Sequence, residues 1–402
     1  MSELPDAASV QSPLRVAHAI EGVTSQAGGP TTAFLSLVEA VGSRPGVEVR
    51  AFAPAPPADD PIRTRLDAAP EGRFHLTPPA GRLVVGGLGR RIHRELRAGS
   101  IDVLHLHGLW CRDYLPLVRR AERCGVPLVF HPHGMLIKAA LERSAGKKKA
   151  FLRLGLERGL ARSSLIVCAT DDELATSWVP SEGDRRPQTT VIPLPVEVPS
   201  DDPEALRSAG RRLLGVDEGT PLVVFLGRLH EVKRLDLLVD AVARVPDRPT
   251  LALVGEGETP EDAERVRDRA RTAGLEEDRL KMPGWVNGPD KWAALGAADA
   301  VVLCSVHENF GYTIPEAAAV GVAGVMTPNL SLAEELAREG GGFVGDATPE
   351  GLARALERAI AASGPEARPA RRDWVVRRYS SDAVGSRLVE AYRACRPSGP
   401  SP

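Results

Sequence analysis

Short apolar runs alternate with amphipathic segments along nearly the whole chain. Runs such as LRVAHAI (14–20) and PLVVFLGR (221–228) have the composition and length of buried strands. Segments such as TTAFLSLVEAV (31–41) and RLDLLVDAVARV (234–245) carry their apolar residues at helical spacing. Strands that alternate with helices predict parallel sheets covered by helices, and both halves of the chain show this alternation. We therefore predict an α/β protein with two Rossmann-like, doubly wound lobes.

The chain is long enough for two domains. Its 402 residues allow each domain to bury its own core. The segment VEVPSDDPEA (196–205), rich in proline and acidic residues, is typical of a linker. We therefore assign residues 1–198 to the first lobe and residues 199–374 to the second. A final helix, predicted from about Arg371 to Cys395 with a break near Tyr379, is expected to cross back, so that about residues 375–402 pack on the first lobe.

The stretch SVHENFGYTIPEAAAVG (305–321) reads as a loop and helix that follow a buried strand. Glu308 lies in the loop, Gly311 allows the backbone to approach a ligand, and Glu316 lies in the first turn of the helix. The carboxyl end of a parallel strand and the N-terminus of a helix together favour an anionic ligand. The alternative is that Glu316 only complements the helix dipole and that Glu308 is a solvated loop residue.

A second loop of the same lobe, GRLHEVKR (227–234), carries cations. Gly227 permits close approach, Arg228 offers a fork for phosphate oxygens, and Lys233 adds a point charge. Together they suit a diphosphate. The alternative is that these cations pair with neighbouring acids such as Glu231 or Asp236. Gly255, in GEGE (255–258), predicts another glycine turn at the same edge of the sheet.

Glycines and histidines mark strand ends in the first lobe. The sequence AGGPT (27–31) follows the first strand, and its glycines indicate either a phosphate-approaching loop or a plain tight turn. The runs HLHGLW (105–110) and HPHG (131–134) end two consecutive strands, so His107, Trp110 and His133 are predicted to line one wall of a site. A histidine in such a place can also be a hydrogen-bonded structural residue. A basic amphipathic helix is predicted around Leu83–Arg97.

Composition excludes several classes of protein. The net charge of −2 is far from the strongly basic surface that nucleic-acid binding needs. The five cysteines are scattered, without the spacing of zinc ligands, and are interpreted as reduced core thiols. The start has no secretory leader, and no run reaches the roughly 18 apolar residues of a membrane span, so we expect a cytoplasmic protein. The basic segment Lys147–Arg162 is either a solvated face or a contact with the anionic inner membrane surface or with an anionic acceptor.

Five motifs occur in the order and spacing of one family. They are GRLHEVKRLDLLVDA, LVGEGE, PGWV, ADAVVLCS and ENFGYTIPEAAAVG. This half of the chain resembles the donor lobe of glycosyltransferase family 4, whose members are retaining enzymes of the GT-B fold. The pieces AGGP, HLHGLW and PHGML resemble family members from bacterial glycan pathways. Two positions depart from the family pattern, because GVAG (321–324) lacks the usual proline and Arg234 replaces a common glycine.

The resemblance implies roles for individual residues. Arg228 and Lys233 would bind the donor diphosphate, Glu316 the ribose and Glu308 the donor sugar, with His133 contacting that sugar from the first lobe. The catalytic residues implied are Arg228, Lys233, Glu308 and His133. The donor-binding residues implied are Gly29, Gly227, Arg228, Lys233, Gly255, Glu308, Asn309, Phe310, Gly311, Tyr312, Thr313 and Glu316. The acceptor-side residues implied are Gly28, Thr31, His107, Trp110 and His133.

The implied activity is sugar transfer from a nucleotide diphosphate sugar to a hydroxyl acceptor. UDP is the first expectation for the nucleotide and GDP the second, and the acceptor is either a lipid-linked glycan or a soluble small molecule. No D-x-D motif occurs in the chain, so we expect neither a metal nor another cofactor. Retention would proceed by front-side attack assisted by the leaving phosphate. The alternatives are a GT-B epimerase or phosphorylase, and a non-catalytic sensor or scaffold that binds nucleotide sugars.

Overall fold

The computed structural model describes residues 12–25, 28–78 and 86–396. Backbone contacts divide the chain into two compact units. Unit 1 comprises the chain up to Ala169, Leu174–Pro195 and the residues from Val384 onward. Unit 2 comprises Thr170–Glu173 and Val196–Ala383.

Unit 1 is built on a parallel sheet that has seven strands in the described residues. The strands are β1 (Leu14–Ile20), β2 (Val47–Pro54), β3 (Phe74–Thr77), β4 (Val103–His107), β5 (Leu128–His131), β6 (Leu165–Cys168) and β7 (Gln188–Val191), in the spatial order β3-β2-β1-β4-β5-β6-β7. The helices before the linker are α1 (Gly29–Gly42), α2 (Ile62–Asp67), α3 (Gly87–Arg97), α4 (Tyr114–Arg123), α5 (Lys138–Glu142), α6 (Ala145–Phe151), α7 (Glu157–Ala161) and α8 (Asp171–Thr176).

Unit 2 repeats this design with a parallel sheet of six described strands. They are β8 (Leu222–Leu226), β9 (Thr250–Val254), β10 (Leu280–Gly284), β11 (Ala300–Leu303), β12 (Ala323–Met326) and β13 (Gly342–Val344), in the order β10-β9-β8-β11-β12-β13. The helices are α9 (Pro203–Leu214), α10 (Leu235–Val242), α11 (Pro260–Thr272), α12 (Gly288–Gly296), α13 (Thr313–Ala319), α14 (Ala333–Glu339), α15 (Pro349–Ala361), α16 (Arg368–Tyr379) and α17 (Ser381–Cys395), the last of which returns to unit 1 from Val384 onward.

The central strands explain why the sequence pattern is so regular. Every residue of β4, β5, β6, β9 and β11 is buried, as expected for parallel strands covered on both faces. In each sheet the strand order reverses beside the first strand, at β1 and at β8. Ligands of open α/β sheets bind above the carboxyl ends of strands at such reversals. The predicted α/β, doubly wound fold is confirmed.

Some predicted elements differ from the structure. The predicted helix over 83–97 begins at Gly87, and residues 83–85 lie outside the described residues, as do Ala27 and residues 397–402. The basic segment is helical, but a π-helical turn at Leu152–Leu156, where Gly155 has a φ of 128°, interrupts it. The predicted break after Tyr379 is confirmed by the separate helices α16 and α17.

The prediction that the cysteines are core thiols is wrong for part of the set. Cys168 and Cys304 are buried, whereas Cys111 and Cys395 are half-buried and Cys124 is exposed. Cys124 directly follows the last turn of α4, which ends in Arg123, and is exposed there.

One carboxylate fixes the beginning of β11. Asp299 accepts hydrogen bonds from Arg211 and Arg207 at 3.0 Å each, and the backbone N–H of Leu222 donates to it at 2.8 Å. The side chain of Arg211 is only 2% exposed and that of Asp299 8%. This network joins α9 to the first residues of β8 and β11, the strands that lead into the two loops highlighted by the sequence.

Replacing Asp299 with alanine should lower the free energy of unfolding by about 3–5 kcal/mol, because the buried guanidinium of Arg211 loses its counter-charge. Denaturant unfolding followed by circular dichroism measures this change. Glu218→Ala is the matched control, since Glu218 lies 3.8 Å from the same arginine but is 66% exposed, and we expect a change within about 0.5 kcal/mol. Equal effects of the two substitutions would contradict the role given to the buried network.

Candidate active site

Two glycines bring the loops after β8 and β9 into contact. A Cβ atom on Gly255 would lie 1.9 Å from the carbonyl oxygen of Gly227, which no side chain allows. Gly227 and Gly255 also have φ values of 155° and 144°. The backbone N–H of Gly227 donates to Val254 at 3.0 Å, and that of Gly255 donates to Gly284 at 2.9 Å. The predicted glycine turns therefore lie side by side at the carboxyl edge of the sheet, above β8, β9 and β10.

The structure pairs Lys233 with Glu308 at this edge. The Lys233 ammonium donates to Glu308 Oε1, and each side chain is 19% exposed. The hydroxyl of Ser305 donates to the same oxygen at 2.7 Å. A cation and a carboxylate from two different loops are thus held together in a partly desolvated place, where electrostatic interactions are stronger than in bulk water.

Arg234, the departure from the family pattern, ends the turn that positions Lys233. Lys233 belongs to a short 3₁₀ turn, Glu231–Lys233, and Arg234 then adopts left-handed backbone angles with φ 53° and ψ 45°. Glycine takes this conformation without strain, which accounts for its frequent use at such a position. The arginine keeps the same turn, and its side chain bonds Asp236.

Arg228 is more exposed than Lys233. It donates to Glu258 Oε1 at 2.9 Å, and both side chains are 60% exposed. The predicted alternative partners, Glu231 and Asp236, are not the ones it uses, because Glu258 in the next loop approaches across the glycine contact. An exposed ion pair of this kind contributes little stability, so its guanidinium can exchange a carboxylate for another anion at small cost.

Glu316 has a partner that the sequence did not reveal. Lys291, on α12, donates to Glu316 at 2.8 Å and lies 4.3 Å from the centre of the Trp292 ring. Burial raises the pKa of Glu316, while the charge and hydrogen bond of Lys291 act in the opposite direction. Lys291 thus holds the Glu316 carboxylate at the first turn of α13.

The loop between Glu308 and Thr313 is held from several sides. Gly311 has a φ of 77°, and a Cβ there would lie 2.8 Å from Leu303. The Thr313 hydroxyl donates to the carbonyl of Leu226 at 3.2 Å. Phe310 is buried and meets the rings of Tyr312 and Tyr379 edge-on. The loop that also contains Asn309 is therefore tied to β8 and to α16.

Three further polar residues support this loop, and sequence reasoning missed them. The Ser331 hydroxyl donates to the carbonyl of Glu308 at 3.1 Å, and the Asn329 amide donates to the carbonyl of Ser305 at 3.0 Å. Asn329 and Ser331 both follow β12. Their position after the carboxyl end of a strand that neighbours β11 is the only sequence feature that could have identified them. Ser305 itself was visible as part of the loop but had no assigned role.

In unit 1 the glycine pair begins the first helix. Gly28 has a φ of 63°, and Gly29 is the first residue of α1. Thr31 is buried, and its hydroxyl accepts a hydrogen bond from the backbone N–H of Thr24 at 3.4 Å. The described part of this turn therefore places the helix N-terminus at the carboxyl end of β1, as predicted.

Five histidines gather at the carboxyl ends of β1, β4 and β5. The sequence singled out His107 and His133, and the structure adds His18, His105 and His131. His18 Nδ1 lies 2.9 Å from His107 Nε2, and His107 Nδ1 lies 3.1 Å from His133 Nε2. His133 adopts a left-handed φ of 51°, which turns it towards this stack of rings.

Burial keeps the histidines neutral. It lowers the pKa of His18 and of His133 to about 3, and those of His105, His107 and His131 fall well below the ordinary value, chiefly for the same reason. Two triads have ring nitrogens within 4.8 Å of one another, a spacing that could hold a transition metal. However, both nitrogens of His18 and of His107 already bond other side chains, so either triad would have to break hydrogen bonds to bind an ion.

Trp110 lies beside the basic segment. Its ring meets Phe151 edge-on at 6.0 Å, and the Lys148 ammonium lies 5.6 Å from its centre. Lys148 also donates to the carbonyl of Ala140, and Arg162 pairs with Glu122 at 2.7 Å. Part of the basic segment is thus engaged within unit 1 and does not form a uniform free cationic face.

Sequence comparisons follow the division of the chain. Residues 28–195 match the model of the glycosyl transferase 4-like domain, and residues 220–362 match that of the glycosyl transferases group 1. The D-inositol 3-phosphate glycosyltransferase of Xylanimonas cellulosilytica is 29% identical over 328 residues, which cover 74% of this chain and 75% of that one. The phosphatidyl-myo-inositol mannosyltransferase of Mycobacterium leprae is 28% identical over 406 residues, covering 92% and 94%.

The chain belongs to glycosyltransferase family 4.

Solved structures give the same fold for this glycosyltransferase. Anabaena Alr3699/HepE in complex with UDP superposes with a TM-score of 0.73 at 19% identity, covering 95% of this chain and all of that one. The sucrose-phosphate synthase of Thermosynechococcus elongatus gives 0.69 at 19% identity, covering 95% and 98%. The GT-B prediction is confirmed. No helix in the described part of this glycosyltransferase has the length and apolar composition needed to cross a membrane.

The structure therefore groups the predicted residues of this glycosyltransferase into two sets. In unit 2, Gly227, Arg228, Lys233 and Gly255 lie on the loops beside those of the segment 308–316. In unit 1, the predicted residues lie at or after the carboxyl ends of β1, β4 and β5. They are Gly28, Gly29, Thr31, His107, Trp110 and His133. The individual roles assigned to them are still predictions.

Proposed function

We propose that this family 4 glycosyltransferase is a retaining enzyme that transfers a sugar from a nucleoside diphosphate sugar to a hydroxyl group without a metal ion. The observation that carries the proposal is the Lys233–Glu308 ion pair at the carboxyl edge of the unit 2 sheet, with Arg228 in the same loop. UDP is the first choice of nucleotide and GDP the second. Complexes of Alr3699/HepE with UDP and with UDP-glucose support this order.

The proposed chemistry follows from where charge develops. Cleavage of the bond between the sugar and the phosphate leaves positive charge on the sugar ring and negative charge on the departing diphosphate. Fixed cations next to that diphosphate lower the barrier because they are already oriented when the charge appears. Lys233 and Arg228 would serve this purpose, and Glu308 would hold Lys233 in place and bind a hydroxyl of the sugar. The acceptor would attack from the face that the phosphate leaves, and the phosphate would take its proton.

Glu316 is the proposed ligand of the ribose. Its carboxylate is nearly buried, is held by Lys291, and belongs to the first turn of α13. A carboxylate can accept hydrogen bonds from both ribose hydroxyls, and such charge-assisted bonds are stronger than neutral ones.

Replacing Glu316 with glutamine should weaken UDP binding roughly tenfold to a hundredfold, because charge-assisted hydrogen bonds to the ribose are lost. Isothermal titration of UDP into each variant measures the change in Kd. Glu264→Gln is the control, since Glu264 is a 60% exposed residue of α11 that pairs with a neighbour on the same helix. If both variants bind UDP alike, the ribose role of Glu316 is wrong.

The acceptor is proposed only as a hydroxyl compound. Relatives are named for a soluble acceptor, D-inositol 3-phosphate, and for a membrane lipid, phosphatidyl-myo-inositol. The first name fits the expected class of soluble small molecules, and the second adds a phospholipid, which differs from the expected lipid-linked glycan. Activity assays should offer one acceptor of each class, with the same donor.

A panel of UDP, GDP, ADP and TDP tests the proposal directly. A ligand that binds only the folded protein raises its melting temperature, so we expect the largest shift with UDP and the same shift in the presence of EDTA. The companion assay is the appearance of free UDP on incubation with a UDP-sugar and an acceptor. A shift abolished by EDTA would refute the metal-free site, and no shift with any nucleotide would refute the donor assignment.

A further inference from the structure

A chain of hydrogen bonds leads from the last helix to His133 within unit 1. The Tyr392 hydroxyl, on α17, lies 2.6 Å from His105 Nδ1 and 3.2 Å from His18 Nε2. His18 Nδ1 lies 2.9 Å from His107 Nε2, and His107 Nδ1 lies 3.1 Å from His133 Nε2. Tyr392, His18, His105 and His107 are fully buried, so water does not compete for these bonds.

Each group in this chain has one hydrogen to give. A neutral imidazole carries hydrogen on one nitrogen and a lone pair on the other, and the tyrosine hydroxyl has a single hydrogen. The low pKa values of the histidines mean that none carries a second proton at neutral pH. The two contacts that join His18, His107 and His133 must therefore run in one direction, and the Tyr392 hydroxyl determines that direction according to whether it donates its hydrogen to His105 or to His18.

The distances at Tyr392 select the direction. An O–H donor makes bonds of roughly 2.5–3.0 Å, whereas an N–H donor makes longer ones of roughly 2.7–3.2 Å. The 2.6 Å contact to His105 thus fits the hydroxyl as donor, and the 3.2 Å contact fits His18 Nε2–H as donor to the hydroxyl oxygen. His107 Nε2–H then donates to His18, and His133 Nε2–H donates to His107. The hydrogen on His105 Nε2 is left without a partner among the described residues.

We infer that Tyr392 and His18 are positioning residues, which act through His107 to fix His133 as the tautomer that presents a bare Nδ1 lone pair to a ligand. Nδ1 of His133 is the end of the chain, and His133 is the one member that is not fully buried. This atom would accept a hydrogen bond from a hydroxyl group and would not donate one. The last helix therefore takes part in the site through a hydroxyl that touches no substrate.

The inference concerns the same site as the proposed function and rests on it for the identity of the ligand. If the ligand is the donor sugar, His133 recognises one of its hydroxyl groups by accepting the hydrogen. A histidine that could switch tautomers would present a donor part of the time and would bind that hydroxyl less well. A fixed tautomer thus favours one orientation of the sugar.

The tautomers can be read directly in the protein without any ligand. Two-bond ¹H–¹⁵N correlation spectra of protein labelled with ¹⁵N-histidine distinguish a protonated ring nitrogen from a bare one, and loss of signals in His133→Gln assigns that residue. We expect hydrogen on Nε2 of His133 in the wild type. In Tyr392→Phe the buried His18 Nε2–H loses its acceptor, which is unfavourable, so the chain should reverse and place the hydrogen of His133 on Nδ1.

Tyr114→Phe is the matched control. Tyr114 is also fully buried in unit 1, and its single hydroxyl hydrogen is shared between the backbone carbonyls of Ala19 and His107, at 2.9 and 2.8 Å, so its loss leaves all four contacts in place. We expect the tautomer of His133 to be unchanged there. A wild-type His133 with hydrogen on Nδ1, or the same tautomer in Tyr392→Phe as in the wild type, would overturn the inference.

Kinetics separate this inference from the proposed function. If both hold, kcat/KM for the UDP-sugar should fall on the order of tenfold in Tyr392→Phe and should fall far less in Tyr114→Phe. If the spectra behave as expected while kcat/KM stays constant, the hydrogen-bond chain stands, and the proposed contact between His133 and the donor sugar is wrong.

Discussion

Replacing Lys233 with alanine should lower kcat/KM for sugar transfer by about 10²–10³-fold, the loss typical of removing one preorganised group that stabilises developing charge. Two effects add. The cation that would face the leaving diphosphate disappears, and Glu308, only 19% exposed, is left without its ion-pair partner beside an incoming polyanion. Both effects act on the transition state and on donor binding, so we expect KM to rise as well as kcat to fall.

Steady-state kinetics with the nucleotide sugar selected by the binding panel measure this loss. Lys281→Ala is the control, because Lys281 is a lysine of the same unit that lies near the start of the outermost strand β10, in register with Ala252 of β9, away from the carboxyl ends of the strands. Lys233→Arg, which keeps the charge but changes its shape, should recover part of the activity. Activity of Lys233→Ala within threefold of the control would show that the diphosphate lies elsewhere.

Lowering the pH from 7.5 to 5 should unfold unit 1 while unit 2 keeps its structure. Burial lowers the folded-state pKa of His18 to about 3, below the unfolded value of about 6.5. The unfolded chain therefore binds more protons between these values, so the stability is fully present above about pH 6.5 and is lost as the pH falls towards 3. At pH 5, His18 and His133, whose folded-state pKa values are both about 3, each remove about 2 kcal/mol, and burial lowers the pKa values of His105, His107 and His131 in the same direction.

Hydrogen exchange followed by mass spectrometry, corrected for the intrinsic effect of pH on exchange, locates this unfolding. Protection should disappear from β1, β4 and β5 at a higher pH than from β8, β9 and β11. Unit 2 serves as the internal reference, because its two histidines are His230, which is half-buried, and His307, which is exposed. Loss of protection in both units at the same pH would contradict the assignment to the histidine cluster.

His131→Leu sharpens the test. Neither ring nitrogen of His131 has a hydrogen-bond partner among the described residues. Leucine therefore removes a buried imidazole that would gain a proton when the unit unfolds in acid, and the substitution breaks no hydrogen bond. We expect the acid transition to move to lower pH, because burial holds the pKa of His131 well below its ordinary value in the folded state. A transition at the wild-type pH would mean that His131 does not contribute.

The sequence predicted the elements that carry the unit 2 site because they follow local rules. The loop with Glu308 comes after a run whose every residue is buried, and the helix with Glu316 is rich in alanine. Carboxyl ends of parallel strands share one edge, so Lys233 and Glu308 could be expected near each other. Their direct pairing, and the shared oxygen bonded by Ser305, depend on side-chain conformations that no spacing reveals.

These local rules did not predict the other residues of the two sites. Lys291 stands on a helix whose sequence reads as an ordinary amphipathic segment, and only its packing brings the ammonium to Glu316. His18 lies in the middle of a predicted buried strand, where a polar residue gives no hint of its partner. The basic segment looked uniform in sequence, whereas the fold turns Lys148 onto Trp110 and pairs Arg162 with Glu122.

The sequence by itself determined the alternation of strands and helices, hence the fold class, and the loops on which the charged residues of unit 2 lie. It could do so because hydrophobic periodicity and turn chemistry act over a few residues. The tertiary structure decided which side chains meet. Lys233 and Glu308 are 75 positions apart, and His18 and Tyr392 are 374 apart, so their contacts exist only after strand order and the return of the last helix have placed them together.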